Sequence, residues 1–374
     1  MKILEFKSRL ANRDITRRQI NQALIGFGIS AMATPMLNNP ALASSDPSDL
    51  VMYTWSGYEV EQMYQPYVKK HGVMPSFNFF SGQEEAMHKV RPGYAADTMH
   101  PCTTKTKTYR DAGILKPLDP SRIEEWGNIW PRLQTMAGVT LEDDGLTYLM
   151  PFDWGNTSIC YRTDVIDRDP SEESWSWLFD PRYAGRISMQ DGIGSISAGA
   201  LALGVKDPYQ MTQAELDKSV KYLQDQRSMV RFYWESPTEF INAMANGEID
   251  MAMCWNDAAV SLKRDGYPVR MASPKEGMIT WVCGLVMTNV GEADEGLVYD
   301  ALNSLLAPET GFFLIDEYGY GHANEKAFDL VSTERLEDLG ISNPSALIAD
   351  SIFASPSPIR DLWDKAWEDV KLGL

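Results

Sequence analysis

Aromatic residues recur in five short segments that fall near the ends of predicted strands or at predicted crossings between the halves of the chain. These segments are residues 53–58, 151–158, 232–234, 254–257 and 280–281. Because the face of an indole or phenol ring is electronegative, each ring attracts an ammonium group by roughly 0.5–2 kcal/mol. If the segments converge, they form a cage for a small cation. Aromatic residues beside strands also build ordinary hydrophobic core, and composition alone favours that interpretation.

Catalytic and cofactor-binding motifs are absent from the sequence. Nucleophilic hydrolysis needs a base beside the nucleophile, and none of the four histidines lies in a recognisable motif. The sequence has no Gly-x-Ser-x-Gly, His-Glu-x-x-His, Walker-type phosphate loop or EF-hand loop. It therefore predicts a binding protein without a cofactor rather than an enzyme. A secreted hydrolase is the alternative from another class.

The overall charge argues against two kinds of partner. The chain has 374 residues, is 44% hydrophobic and carries a formal charge of −18. Residues 1–43 hold six basic and two acidic side chains, so the remainder carries about −22. Such an acidic surface repels nucleic acid and anionic lipid headgroups, and we expect neither as a partner. A chain of this length and apolar content is expected to form two lobes.

The four cysteines are widely separated. Cys102, Cys160, Cys254 and Cys283 form no Cys-x-x-Cys pair and no cluster with histidine at metal-ligand spacing, so no metal site is expected. We predict four unpaired thiols. One disulfide of undetermined pairing remains the alternative in an oxidising compartment.

The N-terminus has the three parts of a cleavable signal peptide. A basic stretch ends at Arg17-Arg18, an uncharged run covers residues 23–33, and small residues end at Ala43. We predict that residues 1–43 are removed and that the protein is periplasmic. The paired arginines indicate a twin-arginine signal, with an ordinary secretory signal as the alternative. The uncharged run is shorter than the roughly 20 residues that span a bilayer, so no membrane insertion of the mature chain is expected.

Strand-like and helix-like patterns alternate along the first part of the mature chain. A short apolar run at residues 50–55 predicts a strand, and apolar residues at helical spacing predict a helix over 59–70. A strand over 77–80, a helix over 84–90 and a strand near 98–101 follow. This alternation predicts an α/β fold with a mostly parallel sheet.

The second half has clearer helix starts. Residues 212–215 and 236–239 both match the capping-box pattern, and each precedes a helical pattern. Residues 249–254 then predict a strand whose end delivers Trp255 and Asp257, with Asp257 as the cap of the next helix. Open α/β sheets bind their ligands at the carboxyl ends of strands.

The order of these segments resembles the bacterial spermidine/putrescine-binding proteins and their relatives among the solute receptors of ABC transporters. The resemblance covers nearly the whole mature chain, and its marks follow one another in the same order. These marks are TWSGY at residues 54–58, DTMHPCTTKTKTYRDAG at 97–113, DP at 119–120, MPFDWGNT at 150–157, WLFDPRYAG at 177–185, GEIDMAMCW at 247–255, PKEG at 274–277, and the segment 318–324.

The resemblance implies an α/β two-lobe periplasmic binding protein fold, with strands crossing at a hinge and a ligand cleft between the lobes. Lobe one is expected to contain residues 48–156 and 282–328, and lobe two residues 157–281 and 329–374. The closed form of such proteins docks on a permease in the inner membrane. The implied function is uptake of a polyamine or related small amine compound.

The resemblance also implies the site residues. Four aromatic positions match a box that holds the amine, a loop at residues 102–104 matches a ligand-contacting loop, and Trp154 is expected at the first crossing. The full candidate set is Trp55, Ser56, Tyr58, Cys102, Thr104, Trp154, Asp191, Ser195, Trp255, Asp257, Trp281 and Cys283.

The acidic anchors of the family are replaced in this chain. Where polyamine binders have an acid two residues after the position of Trp281, this chain has Cys283. Where they have acids before a lobe-two helix, it has the Gly/Ser-rich run 191–197. A buried ammonium group without a carboxylate partner costs several kcal/mol. Asp153 and Asp257 can replace the lost anchors if they line the same cleft.

The replacement itself suggests an alternative ligand class. The run at residues 192–197 opens a predicted helix, and a helix N-terminus presents free N–H groups to an anion. With Ser195 and Ser197 beside it, this terminus favours a zwitterionic amine, such as an amino acid, betaine, amino-sulfonate or amino-phosphonate. The other interpretation is that Gly192 and Gly194 only form a tight turn.

Overall fold

The computed structural model describes residues 45–80, 82–90 and 94–373. The strands in this part of the chain are β1 (Val51–Trp55), β2 (Ser76–Phe80), β3 (Thr98–Met99), β4 (Leu115–Lys116), β5 (Leu149–Arg162), β6 (Ile187–Gln190), β7 (Val230–Trp234), β8 (Met251–Trp255), β9 (Val269–Met271), β10 (Ile279–Thr288), β11 (Gly321–His322) and β12 (Ile352–Phe353).

Thirteen α-helices accompany these strands in the described ranges, together with several short 3-10 helices. The α-helices are α1 (Gln65–His71), α2 (Gln83–Lys89), α3 (Thr106–Asp111), α4 (Pro131–Gln134), α5 (Gly194–Ala202), α6 (Gln213–Gln226), α7 (Pro237–Ala245), α8 (Asn256–Arg264), α9 (Glu295–Leu306), α10 (Pro308–Tyr318), α11 (Thr333–Leu339), α12 (Pro344–Asp350) and α13 (Arg360–Leu372).

One continuous sheet runs through the molecule, in the strand order β2-β1-β3-β10-β5-β8-β6-β7. Strand pairs near the two ends of this order, such as β1 with β2 and β6 with β7, are parallel, as the alternating pattern predicts. The long central strands β5 and β10 are instead antiparallel to each other and to their neighbours β8 and β3. These strands cross from one half of the molecule to the other.

The buried apolar side chains form two groups of clusters, which define two lobes. One group comes from residues between 50 and 154 and between 282 and 348. The other comes from residues between 159 and 279 and between 363 and 370. The expected lobe boundary is wrong for one segment, because Val331, Leu336 and Leu339 pack in the first group although residues 329–374 were expected in lobe two. The chain rejoins the second group near β12.

One of the two predicted capping boxes has the expected hydrogen bonds at the start of its helix. The Thr212 hydroxyl accepts from the backbone N–H of Glu215, and Glu215 accepts from the backbone N–H of Thr212, which starts α6 as predicted. Helix α7 begins at Pro237, but the Ser236 side chain makes no capping hydrogen bond. The carboxylate of Glu239 accepts instead from the backbone N–H of Glu235, at 2.9 Å.

None of the helices in the described ranges combines the length and apolar character needed to cross a membrane. The predicted signal peptide, residues 1–43, lies outside the described residues.

Candidate functional site

A cavity of about 490 Å³ lies between the two lobes. Its wall is built from the ends of β1, β6 and β8, from the middle of β5 and β10, and from the segment around β12 and α13. Nine of the predicted site residues line it: Trp55, Ser56, Tyr58, Cys102, Thr104, Trp255, Asp257, Trp281 and Cys283. Aromatic residues of three of the five segments, 53–58, 254–257 and 280–281, therefore converge on one opening, whereas segment 232–234 contributes no lining residue.

Each indole of the wall is held by specific contacts. Trp55 donates its Nε1–H to the backbone carbonyl of His100 at 2.9 Å. Trp281 meets Tyr320 edge-on, with ring centroids 5.0 Å apart. Trp255 meets Trp234 in the same edge-on way at 5.4 Å. Because such pairs fix the orientation of the rings, the wall presents preformed aromatic surfaces.

Asp153 is one of two carboxylates in the wall. It belongs to β5 and is almost fully buried. Its carboxylate accepts from the Tyr58 hydroxyl at 2.5 Å and lies 3.0 Å from Nε2 of His100. The other ring nitrogen of His100, Nδ1, lies 3.1 Å from the Thr54 hydroxyl. This network holds a negative charge in position without exposing it to bulk solvent.

Asp257 is the second carboxylate in the wall. It was expected to cap a helix, but α8 begins two residues earlier than expected, at Asn256 with Trp255 as its N-cap, so Asp257 lies in the first helical turn and lines the cavity. Burial raises its pKa to about 6, although hydrogen bonds from the Ala258 N–H and the Tyr320 hydroxyl oppose the shift. Its Oδ1 atom is buried and has no hydrogen-bond partner among the described residues. Such a carboxylate has capacity left for a cationic ligand.

The prediction of four unpaired thiols is wrong, because Cys102 and Cys283 form a disulfide. Cys102 follows β3 and Cys283 lies on β10, and the two residues also form an antiparallel bridge between their backbones. Both line the cavity, so the disulfide forms part of its wall. Cys160 and Cys254 are the buried free thiols.

Three predicted site residues do not line the cavity. Trp154 is on β5, but its indole donates to the carbonyl of His322 at 3.1 Å and stacks on Phe328 in the core of the first lobe. Because side chains alternate along a strand, Trp154 points away from the face that carries Asp153.

Asp191 and Ser195 are the other two predicted residues outside the wall. The Asp191 carboxylate accepts from the indole of Trp367 at 2.7 Å and pairs with Lys371 at 3.2 Å. Ser195 is buried and donates to the carbonyl of Gln190 at 2.6 Å. Ser197, two residues later, does line the cavity.

Sequence reasoning missed several lining residues. Tyr320 lies in a segment that carried the family resemblance, but its neighbour Tyr318 was equally plausible from the pattern. Trp363 belongs to the amphipathic helix α13 and stacks on Tyr209, with ring centroids 5.9 Å apart. Helical spacing marks Trp363 as buried, and it gives no sign that the buried face borders a cavity. Lys105 also lines the wall.

No group of three or more His, Cys, Asp or Glu side chains that could hold a metal ion occurs within residues 45–80, 82–90 and 94–373. The wall therefore offers ring faces, two carboxylates, hydroxyls, indole N–H groups and the ammonium group of Lys105. The ring faces and carboxylates suit a small organic cation.

Two periplasmic proteins of Escherichia coli are similar to this chain over most of its length. The chain is 27% identical over 352 residues to the putrescine-binding periplasmic protein PotF of Escherichia coli strain K12, covering 88% of this chain and 93% of that protein. It is 26% identical over 311 residues to the spermidine/putrescine-binding periplasmic protein of the same strain, covering 81% and 85% respectively.

Solved structures share the fold at lower identity. The spermidine/putrescine ABC transporter substrate-binding protein of Streptococcus pneumoniae superposes with a TM-score of 0.73 at 20% identity, covering 86% of this chain and 97% of that chain. A GABA receptor structure superposes with a TM-score of 0.69 at 18% identity, covering 86% and 97%. These likenesses confirm the predicted two-lobe α/β architecture.

A family model described as bacterial extracellular solute-binding protein matches residues 62–334. Proteins of this family bind solutes and are not enzymes, which confirms the prediction of a binding protein. The family match includes most of both lobes and every cavity residue from Gln83 to Tyr320. The chain therefore belongs to the bacterial extracellular solute-binding proteins.

Proposed function

We propose that this protein is the exported substrate-binding component of an ABC transporter and that it binds a polyamine or related small amine in the interlobe cavity. The observation that carries the proposal is the convergence of Trp55, Trp255 and Trp281 with Asp153 and Asp257 on one cavity. Ring faces attract an ammonium group, and charge-assisted hydrogen bonds to carboxylates hold it in one place.

The relatives support the amine class and the compartment. The two Escherichia coli relatives are named as periplasmic proteins that bind putrescine or spermidine. The pattern of a signal peptide in residues 1–43 agrees with export to the periplasm. From there, the ligand would be handed to a permease in the inner membrane.

The connection of the lobes supports binding by closure. The lobes are joined by the long strands β5 and β10, which lie side by side between the two groups of hydrophobic clusters. Bending of a few residues at such crossings lets two rigid lobes close around a ligand. Closure would bring Trp255 of one lobe and Trp55 of the other onto the same guest.

The proposed roles of the lining residues follow from their contacts. Trp55, Trp255 and Trp281 provide ring faces, Asp257 provides the carboxylate with an unpaired oxygen, and Tyr58 orients Asp153. Ser56 and Thr104 line the cavity and contribute hydroxyl groups. The Cys102–Cys283 disulfide supplies an uncharged surface next to Trp281.

A thermal-shift screen of the mature protein tests this function. The panel contains putrescine, cadaverine, spermidine and agmatine, with glucose and succinate as ligands that lack an amine. A ligand that binds the native state raises the Tm, and the shift grows with the ratio of its concentration to its Kd, so at least one amine is expected to raise the Tm while glucose and succinate do not. A panel in which no amine shifts the Tm, or in which succinate shifts it most, contradicts the proposal.

A further inference from the structure

Two indole N–H groups in the cavity wall lack an acceptor. Trp281 and Trp363 both line the cavity, and their Nε1 atoms are buried without a hydrogen-bond partner among the described residues. Trp55, in the same wall, shows the satisfied arrangement, since it donates to the carbonyl of His100. An indole nitrogen only donates hydrogen bonds. The two unpaired groups therefore call for an acceptor from outside the protein.

Ser197 adds a third unpaired group. It lies in the first turn of α5 and lines the cavity, and its Oγ is buried without a partner within the described chain. Ser195 donates its hydroxyl to the carbonyl of Gln190. Of the two serines, Ser197 is therefore the one that lacks a partner, and it is also the one that borders the cavity. A serine hydroxyl can donate to an acceptor, and the N-terminal end of a helix favours a negative or partly negative group.

Each carboxylate of the wall accepts a hydrogen bond from a phenol: Asp153 from Tyr58 at 2.5 Å and Asp257 from Tyr320. Burial raises the pKa of Tyr58, and the charges of Asp153 and Asp257 raise it further. The pKa of Tyr320 is likewise raised by burial and then by Asp257 and Asp153. Both carboxylates are therefore close to the same two phenols, which places them around one site for a cation.

The rest of the wall does not offer a second cation site. Among the described lining residues, the formally charged side chains are Asp153, Asp257 and Lys105. On the lobe-two side of the cavity, the lining residues around Gln190, Ser197 and Trp363 include no carboxylate. A protonated diamine has only donors, so its second ammonium group would leave the indole N–H groups unpaired and would find no carboxylate there.

From the three unpaired donors and the single pair of carboxylates we infer that the ligand carries one ammonium group together with a hydrogen-bond acceptor, such as a carboxylate, a hydroxyl or an amide carbonyl. The ammonium group lies between Asp153 and Asp257, and the acceptor receives hydrogen bonds from Trp281, Trp363 and Ser197. This inference rests on the proposed function, because its cation site is that of the amine-binding cavity.

Calorimetric titration with ligands matched in length tests the inference. One series contains putrescine, N-acetylputrescine and 4-aminobutyrate, and the other contains cadaverine, N-acetylcadaverine and 5-aminopentanoate. In at least one series, an acceptor-bearing compound is expected to bind about tenfold or more tightly than the diamine. The comparison between the amide and the carboxylate then identifies the type of acceptor.

The possible results separate the inference from the proposed function. If a diamine binds more tightly than both of its acceptor-bearing counterparts, the inference is wrong and the proposed function stands. If no compound of either series binds, the proposed function fails and the inference fails with it.

Phenylalanine variants test the assigned donors. Trp281→Phe and Trp363→Phe remove the N–H group and keep an aromatic ring. Each is expected to weaken binding of the preferred acceptor-bearing compound about tenfold and to change binding of the diamine less than about twofold. Trp367→Phe is the matched control, because the Trp367 indole donates to Asp191 outside the cavity. Equal losses for both ligand types would mean that the rings act by packing alone and would overturn the inference.

Discussion

The indole of Trp281 lies directly against Gly155, its register partner on the neighbouring strand. A Cβ atom at position 155 would lie 2.2 Å from Cζ2 of Trp281 and 2.7 Å from Oδ1 of Asn256. The missing side chain therefore creates the space in which the ring reaches its place in the cavity wall, edge-on to Tyr320.

Gly155→Ala is expected to displace the indole of Trp281 and to weaken amine binding about tenfold or more, because a misplaced ring loses its contact with the ligand. Overpacking at this site is also expected to cost roughly 1–3 kcal/mol of stability. Isothermal titration calorimetry measures the first effect and urea denaturation the second.

Gly192→Ala is the matched control for this substitution. A Cβ atom at position 192 would meet nothing within 4 Å, and its backbone is not in the left-handed region. We expect wild-type affinity and stability for this variant. Unchanged affinity in Gly155→Ala would mean that the position of Trp281 does not matter for binding.

Ligand affinity is expected to rise with pH between 5 and 7. In the empty cavity Asp257 has a pKa of about 6, and an ammonium ligand favours the ionised carboxylate. Binding at pH 5 therefore releases a proton, and the affinity gains about tenfold by pH 7 before it levels off. Calorimetry across this range checks the slope. Asp257→Asn should bind weakly, and its affinity should not change with pH in this range. Asp191→Asn is the control and should behave as the wild type. If Asp257→Asn keeps the pH dependence of the wild type, another group is responsible for it.

The stability of the protein without ligand should also depend on pH, because ionisation of Asp257 places a charge in a buried position. The pKa of Asp257 in the folded state is raised above its ordinary value of 3.8. The contribution of Asp257 to the free energy of unfolding is therefore fully present below about pH 4 and is lost as the pH rises through 6. Asp257→Asn has no such loss. We expect its Tm, relative to that of the wild type, to be higher at pH 7.5 than at pH 4.5. The same difference in Tm at both pH values would contradict the assignment.

The oxidised protein should contain two reactive thiols after denaturation and four after reduction. The disulfide joins Cys102 and Cys283 across a sequence separation of 181 residues. Because a disulfide restricts the unfolded chain, it typically adds roughly 2–4 kcal/mol to the free energy of unfolding. Thiol titration in denaturant checks the count, and a scan with reductant should show a lower Tm. Four reactive thiols without reductant would contradict the pairing.

The fold was largely predictable because its signals are local. Apolar runs predicted β1 and β2, and the capping box at Thr212 predicted the start of α6, since these features depend on neighbouring residues. The sequence did not predict that residues 331–348 belong to lobe one. Their place depends on which lobe the helix α11 packs against, and that contact is not encoded in neighbouring residues.

Part of the candidate site was predictable from the family resemblance. Trp55, Trp255 and Trp281 were assigned to the site because they match its aromatic positions, whereas residue type alone favoured an ordinary hydrophobic core. The partner of Cys283 was missed, since pairing depends on a contact across 181 residues. Ser195 and Ser197 were both expected beside the ligand, but only Ser197 borders the cavity, because the rotation of α5 about its axis turns Ser195 away.

The central claim is that indoles from both lobes hold one amine in a shared cavity. Calorimetric titration of Trp255→Ala and Trp281→Ala with the amine that gives the largest thermal shift tests it most directly. We predict that each variant loses at least about tenfold in affinity, while Tyr267→Ala, an aromatic substitution at an exposed surface position, binds as the wild type does. Wild-type affinity in both tryptophan variants, with their folds intact, would contradict the account.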